Sequence, residues 1–364
     1  MKTIPVASSL GDYEIRIRTG LISSLGHFLR DLFPERPASR IGIVSNPLVW
    51  ELYGKNILES VSVAGLTPVI ALHPDGEISK NIASVMDLLT VFLENRWERR
   101  EPICAIGGGV TGDMGGLVSS LLLRGVPLVH VPTTVVAQVD SSIGGKTGVD
   151  HPLGKNLIGA FYPPKAVLTD PSVLKTLSLR ERRAGLGEVL KYAFIGDREL
   201  MGLLERSIES LAGETFEEEL WEETIVLCSA DKSRIVSDDE RESGARMLLN
   251  FGHTFGHALE GARGFSGILH GEAVALGMLS AARISVSAGL AGPEIFDFMK
   301  NLISRASLPI SWPADVRFET LAPYLGQDKK VQGKQITLVL PLEPGKVSLV
   351  RDYDAALLSN GVFS

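Results

Sequence analysis

The strongest constraint in this sequence is a glycine cluster set between a strand pattern and a helix pattern. The apolar run Pro102-Ile103-Cys104-Ala105-Ile106 leads into Gly107-Gly108-Gly109-Val110-Thr111-Gly112-Asp113, and a helical run from Met114 to Arg124 follows. A short β-rich run, a glycine turn and a helix make one βα unit, and such units assemble into a parallel sheet covered by helices. The alternation recurs. Ile41 to Val44 reads as a strand ended by Asn46-Pro47, and Thr67 to Leu72 as another, followed by the turn His73-Pro74-Asp75-Gly76. Residues 79–94 carry a helical apolar period, and Leu128 to Val131 is a further strand.

Gly107, Gly109 and Gly112 fit the spacing G-x-G-x-x-G. Glycines let a backbone approach a pyrophosphate, and the helix N-terminus that follows favours an anion. The acidic residue expected about 20 positions on is missing, because that region reads Pro127 to Thr134. Phosphate or nucleotide binding and a purely structural tight turn both stay open for this loop alone. A second glycine segment, Gly144-Gly145-Lys146-Thr147, resembles the end of a phosphate-binding P-loop. That motif needs a glycine where Asp140 stands, so a nucleoside-triphosphatase is excluded. Ser141, Ser142, Lys146, Thr147, Lys155 and Asn156 still form a dense polar segment suited to phosphate or carboxylate. The alternative is a solvated surface loop.

From about residue 178 the texture changes. Ser178 and Glu181 have capping-box spacing before a helical run, and residues 198–230, 246–260 and 272–288 also read as helices. Gly261 fits the position just past a helix end, and only Ile336 to Leu340 is strongly strand-like. The expected architecture is an α/β domain with a mostly parallel, Rossmann-like sheet over residues 1–177. A mainly α-helical domain over 178–364 would follow. Thirty-six basic against forty-three acidic residues give a net charge of −7, which argues against a nucleic-acid binder. Cys104 and Cys228 are too few for a disulfide scaffold or a thiolate metal cage, and Cys104 reads as core. No apolar stretch reaches 18 residues and no secretory pattern opens the chain, so no membrane partner and a cytoplasmic location are expected.

Three of the seven histidines fall between residues 253 and 270. Arg246, Asn250, His253 and His257 recur at helical spacing, which places them on one face of the 246–260 helix. Such side chains make a poor packing stripe and a good polar wall. His253 and His257, four apart, could ligate one metal, and His270 can fold back onto the same face after the glycine-rich turn 261–267. Glu188 and Lys191 lie one turn apart on the first helix of this half, beside Gly185 and Gly187. Imidazoles with a carboxylate are the ligand set of a catalytic divalent ion. A satisfied polar face or a subunit contact remains the competing reading.

Taken together, these segments resemble the 3-dehydroquinate synthases, from about residue 40 to 345. The resemblance is carried by Asp75-Gly-Glu-Ile-Ser-Lys80, Gly107 to Asp113, Arg124-Gly125, Pro132-Thr-Thr134 and Val139-Asp-Ser-Ser-Ile-Gly-Gly-Lys-Thr147. It continues through Pro152-Leu-Gly-Lys-Asn-Leu-Ile-Gly159, Gly187-Glu-Val-Leu-Lys191, Arg246, Leu249-Asn-Phe-Gly-His-Thr-Phe-Gly-His257, Leu269-His-Gly-Glu272 and Asp328-Lys-Lys330. Each is weak alone; their order and spacing are specific. Departures are small: Leu122-Leu123 replaces a common aromatic and Met, and Gly187 replaces a common Ala.

The resemblance implies Glu188, His253 and His270 as ligands of one zinc or cobalt ion, with His257 a catalytic or substrate-contacting residue. It implies NAD against Asp75, Gly76, Glu77, Lys80, Gly108, Gly109, Val110, Thr111, Gly112, Asp113, Thr133 and Thr134, with Lys146, Lys155 and Thr176 nearby. Asn46 would lie near the adenosine ribose. Arg124, Asp140, Lys146, Asn156, Lys191, Lys232, Arg246, Asn250 and Lys329 (or Lys330) would surround the substrate. The implied enzyme is a phosphate-eliminating lyase of the shikimate pathway of aromatic amino-acid biosynthesis. Its substrate is 3-deoxy-D-arabino-heptulosonate 7-phosphate, a phosphorylated sugar acid, and its assembly a homodimer. Competing readings are another sugar-phosphate cyclase, a metal-dependent polyol dehydrogenase, and an inactive binding protein.

Overall fold

A computed structural model describes all residues except 34–39, 243, 265, 326–335, 352, 363 and 364. The chain divides into two compact units. One comprises Met1–Thr176 with Lys232–Glu240, the other Leu177–Asp231 with Arg241–Ser364.

The first unit holds β1 (Lys2–Val6), β2 (Tyr13–Ile17), β3 (Arg40–Ser45), β4 (Thr67–Leu72), β5 (Ile103–Gly107), β6 (Leu128–Pro132), β7 (Lys146–His151), β8 (Gly154–Phe161) and β9 (Ala166–Thr169). Its helices are α1 (Leu25–Leu32), α2 (Pro47–Val63), α3 (Ile82–Glu94) and α4 (Gly109–Leu121). Seven strands form one sheet in the order β1-β2-β9-β6-β5-β3-β4. Every pairing is parallel except β1 with β2, so the expected mostly parallel sheet is present.

The central strands are apolar on both faces because both faces are covered. Ile41, Ile43, Cys104 and Ile106 pack with Phe28, Ile57 and Val61 from α1 and α2. On the other face Val44 and Ile103 pack with Val85, Leu88 and Phe92 of α3 and Met114 and Val118 of α4. Helix α2 starts where Asn46 accepts from the Val49 N–H at 2.8 Å, and α3 where Asn81 accepts from the Ser84 N–H at 3.0 Å. Each cap satisfies one orphan donor of a first turn.

Two expectations are corrected here. Helix α4 begins at Gly109 rather than Met114, inside the glycine motif. The polar segment from Lys146, read without strands as an anion-recognition segment or a surface loop, forms the antiparallel hairpin β7–β8. Its polar residues hide the strand pattern. Its glycines explain the close pairing, because a Cβ on Gly159 would stand 2.1 Å from the Thr147 carbonyl oxygen.

The second unit contains α5 (Leu179–Ile195), α6 (Arg198–Ala212), α7 (Glu218–Asp238, its last residues from Lys232 grouping with the first unit), α8 (His253–Ala262), α9 (His270–Ser287), α10 (Glu294–Arg305) and α11 (Phe318–Leu325). A small hairpin, β10 (Leu338–Glu343) and β11 (Lys346–Val350), completes it. Nearly every residue of α9 from Gly271 to Ser285 is buried, which marks it as the central helix of this unit. The expected helix over 198–230 is two helices, separated after Ala212 at Gly213. The expected helix over 246–260 is a 3-10 turn, Ala245–Asn250, and then α8. Gly252 between them has φ +81°, a left-handed value that an α-helix cannot contain. Gly261 lies inside α8, not past its end.

Candidate functional site

In an open parallel sheet, ligands settle at the carboxyl ends of the strands where the strand order reverses. Here β3 is followed outward by β4, and β5 then returns to the other side of β3. The residues after β3 and β5 therefore flank the switch point. They are Asn46 and the Gly107–Asp113 loop. The Ser45 hydroxyl donates to the Ile106 carbonyl at 2.8 Å and ties the two strand ends together.

The three leading glycines have little room for a Cβ. A Cβ on Gly107 would come within 2.4 Å of Thr111 Oγ1, and one on Gly108 within 3.0 Å of Thr134 Cγ2. One on Gly109 would come within 3.2 Å of Ser141 Oγ. Gly108 is the N-cap of α4 and has no side chain to cap the first-turn N–H groups with. Thr133 donates its N–H to the Gly107 carbonyl at 2.9 Å, and Thr134 Oγ1 accepts from the Ala137 N–H at 3.2 Å.

Beside the loop lies a network centred on Lys80, which is 5% exposed. Its Nζ is 2.6 Å from Asp113 Oδ2 and donates to Asn156 Oδ1 at 2.7 Å. Burial opposes the charge on Lys80, but Asp113 and Glu77 outweigh it and raise the pKa. Lys155 Nζ stands 3.4 Å from Glu77. Asn156 reaches Lys80 from a left-handed turn at φ +53°, a conformation Asn tolerates. Two members escaped the sequence reading. Asp150 accepts from the Asn156 N–H at 2.8 Å, and its own N–H donates to the Lys80 carbonyl at 2.9 Å. His73, read only as a turn residue, bridges the Pro74 carbonyl at 2.8 Å and Thr111 Oγ1 at 2.9 Å.

Elsewhere in this unit Lys232 pairs with the Asp140 carboxylate and donates to its carbonyl at 2.7 Å. Asp75 and Gly76 form the turn after β4, with Gly76 at φ +88°. Thr176 shares a 2.6 Å hydrogen bond with the Tyr53 hydroxyl. Arg124 is exposed, at φ +65°. Lys146 opens β7 and is exposed.

The second unit holds the candidate metal centre. Glu188 comes from α5, His253 opens α8 and His270 opens α9. One ligand atom from each lies within 4.8 Å of the others. His253 Nε2 is 3.4 Å and His270 Nε2 3.1 Å from the same oxygen, Glu188 Oε1. Lys191 pairs with the other oxygen, Oε2. Glu188 is fully buried, and burial disfavours its charge, but Lys191, His253 and His270 hold its carboxyl well below the usual range. Burial pushes His253 well below its ordinary value despite Glu188. A charged carboxylate and a neutral imidazole are the forms that ligate a divalent ion, so the donor set fits zinc or cobalt. His270 is raised to about 10, since Glu260 and Glu188 overcome the effect of its burial; a cation arriving there displaces its proton.

His257 lies one turn along α8, its ring centroid 5.2 Å from that of His253 and 6.0 Å from that of His270. Arg246 and Lys191 are buried, and the Asn250 amide donates to Glu242 and, at 3.2 Å, to the Met247 carbonyl. Arg246 and Asn250 sit on the 3-10 turn, so they do not share a continuous helix face with the histidines. Glu260 escaped the sequence reading, although its i+3 spacing from His257 was a visible signal. Lys329 and Lys330 lie outside the described residues.

The chain as a whole is similar to known proteins. Residues 70–184 match the family described as 3-dehydroquinate synthase N-terminal, and residues 185–331 the family described as 3-dehydroquinate synthase C-terminal. The 3-dehydroquinate synthase of Gloeobacter violaceus is 44% identical over 349 residues, covering 95% of this chain and 94% of the relative. That of Nitrosospira multiformis is 44% identical over 320 residues, 88% of this chain and 87% of the relative. Among solved structures, 2-epi-5-epi-valiolone synthase of Streptomyces hygroscopicus subsp. jinggangensis, with NAD+ and Zn2+ bound, is 26% identical. It superposes with a TM-score of 0.87 over 98% of this chain and 97% of that one. A 2-deoxy-scyllo-inosose synthase complexed with carbaglucose-6-phosphate, NAD+ and Co2+ is 25% identical, with a TM-score of 0.86 over 99% of each chain. A glycerol dehydrogenase of Schizosaccharomyces pombe, 16% identical at a TM-score of 0.67 over 95% of this chain and 87% of that one, shares the fold alone. With both halves of the family matched in order and close relatives spanning nearly the full length, the chain belongs to the 3-dehydroquinate synthase family.

Proposed function

We propose that this family member converts 3-deoxy-D-arabino-heptulosonate 7-phosphate to 3-dehydroquinate and inorganic phosphate, as an NAD- and divalent-metal-dependent lyase. The observation that carries the reading is the convergence of Glu188, His253 and His270, in a chain whose α4 N-terminus is cradled by glycines. Glu188, His253 and His270 would hold the ion, zinc or cobalt. Asn46, Asp75 to Lys80, Gly108 to Asp113, Thr133, Thr134, Lys155 and Thr176 would hold NAD. When bound, NAD supplies a hydride acceptor and the ion a Lewis acid that polarises a substrate oxygen.

The chain's own groups do the rest. Lys191 balances the buried Glu188 charge and presents an ammonium beside the ligands. Arg246, Lys146, Lys232, Arg124 and Lys329 supply cations for a carboxylate and a phosphate. Asn250, held by Glu242, and Asn156, held by Lys80, offer orienting amides. His257, which is not one of the three proposed ligands, would take or return a proton at a substrate hydroxyl. Asp140, paired with Lys232, fixes that ammonium in place. A homodimer in the cytoplasm is part of the same reading.

The test is direct. Incubate the protein with the heptulosonate phosphate, a divalent ion and a trace of NAD+, and follow phosphate together with absorbance of reduced cofactor. Phosphate far beyond the NAD+ supplied, with flat absorbance, is expected. Steady accumulation of NADH would replace the reading with a dehydrogenase. No phosphate from this substrate, but release from another sugar phosphate, would replace it with a different cyclase.

A further inference from the structure

The ring of His270 is held from both sides. Its Nε2 faces Glu188 Oε1 at 3.1 Å, and its Nδ1 faces Glu260 Oε1 at 3.3 Å. Glu260 lies on α8, the helix that His253 opens, and is 5% exposed. A neutral imidazole carries one proton. The Nε2 atoms of His253 and His270 converge on one buried carboxylate oxygen, so the ion belongs on that side. His253 follows the same rule, its Nδ1 lying 3.1 Å from the Phe251 carbonyl. The proton of His270 then stays on Nδ1 and is donated to Glu260. A carboxylate accepting from the far nitrogen of a ligating imidazole sets its tautomer, fixes its plane and raises its basicity.

We propose that Glu260 is a positioning residue for the metal centre: it orients His270 by accepting the Nδ1 proton, and it does not itself touch the ion. The proposal rests on the reading of Glu188, His253 and His270 as the ligands. His257, Glu260 and His270 also lie within 4.8 Å of one another, and a metal held there is the competing arrangement. It would have to take Nδ1 of His270 and leave Nε2 to the buried Glu188, against the pairing of the two Nε2 atoms.

Glu260→Gln keeps the shape and an acceptor oxygen but not the charge; Glu260→Ala removes both; Glu188→Gln removes a proposed ligand. Cobalt affinity is read by chelator competition, and ligand geometry by the visible absorption of the cobalt-loaded protein. Glu260→Ala is expected to bind cobalt about 10- to 100-fold more weakly with a shifted absorption band. Glu260→Gln should recover part of both, and Glu188→Gln should bind far more weakly than either. Wild-type affinity and spectrum in Glu260→Ala, with binding lost in Glu188→Gln, would overturn the role of Glu260 and leave the ligand set standing. Loss in Glu260→Ala as complete as in Glu188→Gln would overturn it by making Glu260 a ligand. Undiminished cobalt binding in Glu188→Gln would overturn the ligand set itself.

Discussion

His130 lies on β6 against α4, its ring 3.6 Å from where a Cβ on Gly112 would stand, and it is 5% exposed. Burial lowers its pKa to about 4. In the unfolded chain the same ring titrates near about 6.5, so between these values the unfolded state binds more protons. The contribution of His130 to stability is whole above about pH 6.5 and is lost as the pH falls towards about 4. Urea unfolding should show the wild type losing roughly 3 kcal/mol more than His130→Gln between about pH 7 and about pH 4. Parallel losses in the two proteins would mean that His130 is charged in the fold. Single residues also limit what a sequence discloses. His257 and Glu260 share α8 with His253, and spacing alone cannot say which nitrogen or oxygen turns towards Glu188.

Backbone contact between two helices sets the metal centre. A Cβ on Gly187 of α5 would stand 2.2 Å from the Gly271 carbonyl oxygen, and one on Gly271 of α9 would stand 1.7 Å from the Ala184 carbonyl oxygen. The two helices touch main chain to main chain, and that approach brings Glu188 to His270. Gly271→Ala should force α5 and α9 apart, costing about 1–3 kcal/mol of stability. It should weaken cobalt binding as well, because the ligands sit on the displaced helices. Urea unfolding and chelator competition check both. Wild-type cobalt affinity in that variant would show that the centre does not depend on the helix approach. Gly187 is thus part of how this chain packs. The break at Gly252 belongs to the same scale. The polar period runs unbroken from Arg246 to His257 in the sequence, yet a Cβ on Gly252 would lie 2.6 Å from the Val274 carbonyl oxygen of α9. Packing against α9, rather than helical periodicity, decides where α8 begins.

Across the whole molecule, the metal ligands are parts of a core that stands without them. Helices α5, α8 and α9 bury Leu186, Val189, Phe255, Leu259, Leu276 and Leu279. Lys191 keeps the Glu188 charge compensated inside it. A buried carboxylate left without a partner would be strongly destabilising, and this one has its partner already. Exhaustive chelation should therefore abolish phosphate release while the helical signal and cooperative unfolding persist, and zinc or cobalt should restore activity. Full activity after chelation would remove the metal from the reading. Collapse of the helical signal would make the ion a structural element instead.

The sequence by itself determined the four strands β3, β4, β5 and β6 and the glycine cradle, but not β1, β2 or β9. Strands buried on both faces must be apolar throughout, so Ile41 to Val44, Ile103 to Ile106 and Leu128 to Val131 were visible as runs, and the glycine motif marked a strand-to-helix turn, though α4 starts inside it at Gly109. It also marked Arg246, Asn250, His253 and His257 as unusual company for a packing stripe, with Glu188 and His270 as candidates to join them. It did not disclose β7–β8, because glycines and polar residues interrupt Val149, Leu157, Ile158 and Phe161 so that no regular apolar alternation shows, and its pairing rests on the contact of Gly148 with Gly159. Nor did it disclose Asp150 with Lys80, or Glu260 with His270, which meet from positions 70 and 10 residues apart. Periodicity records which face of an element is apolar. Which polar atoms meet depends on how closely two backbones approach, and only the tertiary structure decides that.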